Sequence, residues 1–305
     1  MPAQSRFHFL LLGFLLVSTH LFTSDKRAPS VQKLGPDLYA YISSNDSSAN
    51  ATFLVAGNGI LVVDTGLNQQ EGRKLLDEIR KVSPLAVRWI VNTHYHPDHR
   101  GGNSTVGPDA VIISTGYTRE RTLGPQSKPA DTTNRPIYET INSVAEMLVL
   151  NLGGHEVRIY HPGPAHTLGD LVVYFPDQHA IASGDLFLTN SCPAMDDGDM
   201  ENWISALDHM LTFPVDHVVP GHFAVATKEQ LLRFRSYLAE LRQQVARMRQ
   251  DGLSLEQIQK RLDLKAYKDF RQWPQYEATF ADNAAAYYKQ LESRSDAQRP
   301  TQPAQ

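Results

Sequence analysis

Residues 91–102 read Val-Asn-Thr-His-Tyr-His-Pro-Asp-His-Arg-Gly-Gly. His94, His96, Asp98 and His99 fall within six residues, directly after an apolar run. Imidazole nitrogen and carboxylate oxygen are the ligands that zinc-like ions prefer. Side chains of an extended segment alternate, so His94 and His96 point to one side and both reach one ion. Pro97 makes the chain turn, and Asp98 and His99 then face a different point. Gly101 and Gly102 let backbone pass close to the site. A chance surface cluster is the competing reading, and it weakens as further motifs complete the ligand count.

Four other apolar runs end in the same way. Residues 61–63 lead into Asp64-Thr65-Gly66, and residues 157–160 into His161-Pro162-Gly163-Pro164-Ala165-His166-Thr167. Residues 180–183 lead into Gly184-Asp185, and Val218-Val219 into Pro220-Gly221-His222. Each run closes in a Gly- or Pro-shaped loop that presents a polar residue. Sites are often built from such loops, because a rigid core then aims the ligands.

The elements behind these loops follow from periodicity. Residues 38–43, 52–56 and 60–64 read as strands, with Gly57-Asn58-Gly59 turning between the last two. Residues 68–82 carry Leu75, Leu76, Ile79 and Val82 on one helical face. Residues 87–91 and 110–113 are continuous apolar strands, as in a sheet covered on both faces. Residues 115–140 read as a polar loop with a helical turn. Residues 147–152 and 156–160 flank Gly153-Gly154 as a hairpin, and residues 171–175 and 180–183 form another about Pro176-Asp177. Trp203, Ile204, Leu207, Met210 and Leu211 mark a helix that ends before Pro214. After Thr227, Leu231, Phe234, Leu238, Leu241, Val245 and Met248 form a seam along one long helix. The seam packs against the strands, with a homodimer contact as its alternative use. Residues 254–262 and 276–291 add two helices, and the polar tail from Ser293 is expected to be disordered. Strands alternate with a helix in both halves of the body, which fits two mixed sheets with helices outside.

With His166, Asp185 and His222 downstream, the His-Tyr-His-Pro-Asp-His motif resembles the metallo-β-lactamase superfamily over residues 37–226. The resemblance implies a four-layer α/β fold, an αβ/βα sandwich, here with a helical extension over residues 227–292 and a tail over 293–305. It implies His94, His96 and His166 on one metal, Asp98, His99 and His222 on the other, and Asp185 bridging. Asp64 would orient a ligand histidine or the loop that carries it. The expected activity is zinc-dependent hydrolysis of an ester, thioester, lactone or amide bond by a metal-bridging hydroxide, with Asp98 orienting it and shuttling the proton. Two zinc ions are expected, with iron or manganese as alternatives. Asp185 resembles the aspartate of the thioesterase and lactonase branches, whereas β-lactamases carry Cys or Ser there. An exported β-lactamase and an iron-dependent oxygenase on the same scaffold are the rival readings. The family often has Gly after the last ligand histidine; Phe223 stands there instead and would narrow the groove.

Other residues receive plainer readings. Asn190 is a candidate oxyanion donor. His161 either steadies the site or is solvated, and His155, His179, His209 and His217 follow no ligand pattern. Arg119, Arg121, Lys128 and Arg135 fit a solvated loop better than a grip on an acidic substrate. Cys192 is the single cysteine of 305 residues, which excludes an intramolecular disulfide framework and a Cys-rich metal site. With 29 basic and 33 acidic residues, no positive field draws the chain to nucleic acid. A small molecule is the expected partner. Residues 9–17 are apolar and follow Arg6, so residues 1–30 read as a signal peptide or an uncleaved anchor. The first implies a periplasmic or secreted protein; only the second would touch a membrane.

Overall fold

The computed structural model describes residues 28–123, 142–270 and 279–297. Residues 1–27, which hold the expected export segment, lie outside the described residues, and so do Lys128 and Arg135.

Period-two apolar runs build two mixed sheets. The first holds β1 (Ser30–Lys33), β2 (Leu38–Ile42), β3 (Ala51–Ala56), β4 (Gly59–Val63), β5 (Val87–Val91), β6 (Val111–Ser114) and β7 (Asn142–Ser143), side by side in chain order. The first four pair antiparallel, and from β4 onward the pairs are parallel. A parallel neighbour requires a crossover. The first is α1 (Gln69–Val82), capped by the Asn68 side chain, which accepts from the backbone of Gln70 and Glu71. The second contains the single turns α2 (Pro97–Arg100) and α3 (Asn103–Val106). The second sheet holds β8 (Met147–Leu152), β9 (His155–Tyr160), β10 (Val172–Phe175), β11 (Ala180–Ala182) and β12 (His217–Val219), again in chain order from edge to edge. Only its last pair, β11 with β12, is parallel, and α5 (Met200–Met210) crosses between them.

Burial divides these elements into four layers. Leu61 and Val63 of β4 meet Val173 and Phe175 of the second sheet, while Ile60 and Val62 meet Leu75 and Ile79 of α1. That accounts for a strand buried throughout, each such side chain contributing about 1.5–3 kcal/mol. Beyond the second sheet lie α5, α6 (Lys228–Gln250), α7 (Leu255–Arg261) and α8 (Phe280–Ala297). The seam residues Leu231, Phe234, Leu238, Leu241 and Val245 are fully buried there beside Trp203 and Leu207. The seam thus packs within the chain, with Met248 at its end partly buried. The architecture is the expected αβ/βα sandwich with a helical extension.

Several boundaries differ from the sequence reading. The helical turn expected within the 115–140 loop is longer than one turn, forming the two-turn helix α4 (Gly116–Leu123). Strand β4 stops at Val63 because Asp64 takes a left-handed backbone, φ 58°. The tail expected from Ser293 is helical through Ala297, and Arg294 pairs with Asp199 at 2.9 Å, which anchors that last turn to the body.

Candidate metal centre

The expected ligands stand in the loops that follow the C-terminal ends of strands, except Asp98 and His99, which lie on the single turn α2. His94 and His96 follow β5, His166 follows β9, Asp185 follows β11 and His222 follows β12. The structure brings all seven together in two groups: His94, His96, His166 and Asp185; and Asp98, His99 and His222. Within each group the ligand atoms lie within 4.8 Å of one another. His94 Nε2 is 2.9 Å from His96 Nδ1, and His166 Nε2 is 3.2 Å from the same atom. Asp98 Oδ2 lies 3.2 Å from His222 Nε2 and 3.5 Å from His99 Nε2. Asp185 faces both groups: Oδ2 is 3.6 Å from His166 Nε2, while Oδ1 is 3.3 Å from His99 Nε2 and 3.6 Å from His222 Nε2.

Hydrogen bonds from outside set the ring orientations. Thr93 Oγ1 donates to Asp64 Oδ2 at 2.7 Å, so toward His94 Nδ1, at 3.1 Å, it can only accept. His94 then carries its proton on Nδ1 and turns a bare Nε2 inward. The carbonyl of Ala194 likewise accepts from His166 Nδ1 at 3.2 Å, which leaves Nε2 of His166 bare. Asp64 Oδ2 also takes the Nδ1 proton of His99 at 2.7 Å, and Asp64 Oδ1 accepts from the Thr93 backbone at 2.9 Å. A single buried carboxylate therefore aims His99 directly and His94 through Thr93. It reaches this position because its backbone leaves the strand in the left-handed region. Gly184, at φ 51°, serves the same end: a Cβ there would lie 2.5 Å from Thr93 Oγ1.

The charges complement this arrangement. Burial, then the neighbouring imidazoles of His99, His96 and His166, holds His94 well below its ordinary pKa. Burial likewise holds His166 down, at about 4. Both are neutral ligands at pH 7. Burial would lower His99 too, but the carboxylates of Asp185, Asp64 and Asp98 outweigh it and raise the group well above its usual range. Burial opposes the ionisation of Asp98 and Asp185, yet His99 and His222 outweigh it and keep both carboxyls below their ordinary range. His99 Nε2 and Asp185 Oδ1 are buried without a well-formed hydrogen bond, although they converge. Orphaned polar atoms of this kind are costly unless something binds them. A set of imidazoles and carboxylates around such atoms fits divalent cations of the zinc, iron or manganese type.

Further residues support the loops. Asn50 donates from Nδ2 to the carbonyls of Pro220, at 3.2 Å, and Phe223, at 2.7 Å, and so pins the His222 loop. Phe223 holds a left-handed backbone, φ 73°, the conformation that favours the glycine common in the family. Asp170 accepts from the backbone and hydroxyl of Thr167 and takes the His161 ring proton on its carbonyl, which fixes the turn after His166. Trp203 of α5 sets its ring 5.5 Å from that of His166. Asn190 is in neither ligand group; its side-chain carbonyl accepts from Arg233 at 3.5 Å. Gly101 and Gly102 press on the Thr65–Leu67 backbone rather than on the ligands. Of these supports, Asp64 and His161 were offered by the sequence; the contacts of Asn50 with the His222 loop join segments about 170 residues apart and follow from no local pattern.

The family model of the metallo-beta-lactamase superfamily matches residues 45–222. The type 2 metallo-beta-lactamase of Elizabethkingia meningoseptica is 26% identical over 226 residues, 70% of this chain and 86% of that protein. A linear primary-alkylsulfatase of Pseudomonas sp. is 24% identical over 262 residues, 68% of this chain and 49% of the sulfatase. Among solved structures, a metallo-beta-lactamase from Pontibacter korlensis superposes with a TM-score of 0.59 at 22% identity, over 69% of this chain and 99% of its own. A stereoselective inverting sec-alkylsulfatase from Pseudomonas sp. gives 0.69 at 15% identity, over 90% and 52%. This chain spans about half the length of the alkylsulfatases it matches. With a model of the family covering more than half of the chain, four layers in the expected order and seven ligand-type side chains at the strand ends, the chain belongs to the metallo-β-lactamase superfamily and carries the metal-binding centre of its hydrolases.

Proposed function

We propose a dinuclear zinc hydrolase that cleaves ester, thioester or lactone bonds. The observation that carries this reading is Asp185, whose two oxygens divide between the two ligand groups. Cations bound there supply Lewis-acid activation of water and of the scissile group. The chain's own residues do the rest. Asp98 and His96 are the more exposed ligands, with side chains 24% and 28% accessible against 11% or less for His94, His99, His166, Asp185 and His222, so substrate enters between them. Asp98, held ionised by His99 and His222, turns Oδ2 toward those ligands and would take the proton of the attacking water on its other oxygen and return it to the leaving group. Asp185 adds negative charge between the two groups and weakens their pull on a substrate carbonyl. That penalises amine leaving groups more than thiolates or alkoxides.

A second reading rests on one comparison. The alkylsulfatase superposition takes in 90% of this chain, against 69% for the lactamase, so the likeness extends beyond the sandwich. An alkyl sulfate therefore joins the substrate panel.

The test is metal content followed by that panel. Protein reconstituted with zinc should hold close to two equivalents, and Asp185→Asn should lose at least one of them along with most activity. The kcat/KM for a thioester or lactone should exceed that for any β-lactam by at least about tenfold, or about 1.4 kcal/mol in the barrier. A cephalosporin or alkyl sulfate turned over faster than every carboxylic ester would replace this reading. An Asp185→Asn variant with unchanged metal content and activity would remove its basis.

A further inference from the structure

Building on the dinuclear reading, we infer that the loop of residues 194–199, held by α8, is the positioning device of the first ligand group. Ala194 and Asp197 aim His166 and His96, and Gln290 aims the loop.

This loop reaches two imidazoles from outside. Its Ala194 carbonyl accepts the Nδ1 proton of His166 at 3.2 Å. Its Asp197 Oδ2 stands 3.6 Å from His96 Nε2. His96 turns Nδ1, not Nε2, toward His94 and His166, so a cation gripped there requires the His96 proton on the outer nitrogen, and a facing carboxylate favours that tautomer before the cation arrives. Asp197 is itself held. Tyr95 donates its hydroxyl proton to the same oxygen. Arg121 of α4 lies 4.7 Å over the Tyr95 ring and donates to its hydroxyl at 3.4 Å. Among the ligands His96 has the most accessible side chain and therefore the weakest packing to fix its ring.

The sandwich gives the loop backbone an anchor at Asp199 N, which donates to Ala165 O at 2.8 Å, while Gly198 N to Met195 O at 3.3 Å closes a turn within the loop itself. Asp199 also caps α5, its side chain accepting from Glu201 N and Asn202 N at 3.1 Å, and the extension adds further anchors. Gln290 Nε2 donates to Gly198 O at 2.9 Å, and Gln290 Oε1 accepts from Met200 N at 3.1 Å. The side-chain amide supplies the donor and the acceptor together. Arg294 completes the clamp on Asp199 at 2.9 Å. Gln290 is in neither ligand group, so whatever it does for the metal it does through the loop. The C-terminal helices thereby acquire a part in the site.

The test begins on metal-free protein with 15N-labelled histidine. Long-range 1H–15N spectra should report Nε2–H on His96 and Nδ1–H on His166. Asp197→Ala should convert His96 to a mixture of tautomers and leave His166 as it was; Gln290→Ala should disturb both. In chelator competition, Asp197→Ala should weaken one zinc ion by about 10–100-fold, the range for lost outer partners of a ligand histidine. Gln290→Ala should weaken the same ion in the same direction, and Asp197→Glu should recover part of the loss. Lys289→Ala, beside Gln290 on α8, should match wild type. A Gln290→Ala chain that melts earlier but keeps wild-type tautomers and both affinities would overturn the inference. Should that variant not fold, an unchanged His96 tautomer in Asp197→Ala would overturn it equally. Wild-type protein that binds a single ion would defeat the dinuclear reading alone, since the tautomers are read without metal.

Discussion

Asp170 shows how a residue outside the ligand set shapes the site. It is 2% exposed, and its two oxygens accept from Thr167 N at 2.8 Å and Thr167 Oγ1 at 2.7 Å. Burial outweighs those bonds and pushes the carboxyl up to about 7, from an ordinary 3.8. The folded chain therefore holds this proton more tightly than the unfolded chain does. The stability that the proton confers is fully present below about pH 4 and is lost as pH rises through about 7. In metal-free protein, wild type should lose stability relative to Asp170→Asn by up to about 1.4 kcal/mol per pH unit between about pH 5 and 6.5. Urea unfolding of both proteins across that range would check it. A gap that stays constant with pH would remove the assignment. The ligands themselves were legible, since each pairs a chemical type with a strand end. Asp170 was not, because one aspartate in a Gly-rich turn looks like any other until its burial is known.

At the scale of elements, helix α1 rests against the turn that follows the second ligand group. A Cβ on Gly102 would fall 2.2 Å from Thr65 O and 2.8 Å from Gly72 Cα, both backbone atoms that cannot swing aside. Gly102→Ala should cost about 1–3 kcal/mol through overpacking. It should also loosen the second ligand group, because Thr65 N holds the His99 carbonyl at 2.7 Å. Gly116→Ala, with nothing within 4 Å of its Cβ, is the matched control and should be close to neutral. Denaturant midpoints of the two variants decide the matter, and equal midpoints would contradict the packing argument. Most elements were legible because an apolar run or a 3.6-residue period marks them: β5 and α6 are cases of each. The pairing of β1 and β7 was not, since their short polar segments join a sheet only through a neighbour's free edge. Asn50 reaches across 170 residues to Pro220, and no local pattern encodes such a contact. The helicity of residues 293–297 depends in the same way on Arg294 meeting Asp199.

Across the whole molecule, the two sheets meet at the ligand loops and across an apolar interior, with His155 of the second sheet also facing Asp37, beside β2 of the first, at 3.4 Å. His94, His96, Asp98 and His99 hang from the first sheet, and His166, Asp185 and His222 from the second. Metal removal should therefore weaken the joint between the sheets, and a chelator should lower the thermal midpoint of wild type. The shift should be smaller for Asp185→Asn, and calorimetry with and without chelator would measure both. An unchanged wild-type midpoint would mean that the sheets hold together without the ions.

The spread of these ligands has a topological consequence. His96 and His166 are 70 positions apart, so an ion gripping both closes a long loop in the unfolded chain. By the chain-entropy rule, a cross-link over that span is worth about 4 kcal/mol. Cys192 is buried and is the one cysteine, so no disulfide within the chain staples the fold. Bound ions would then take over the part that disulfides play elsewhere, with one difference in what unfastens them. Such staples would open to acid or to a competing chelator rather than to a reductant, and the lifetime of the folded chain would follow the supply of metal around it instead of the redox state.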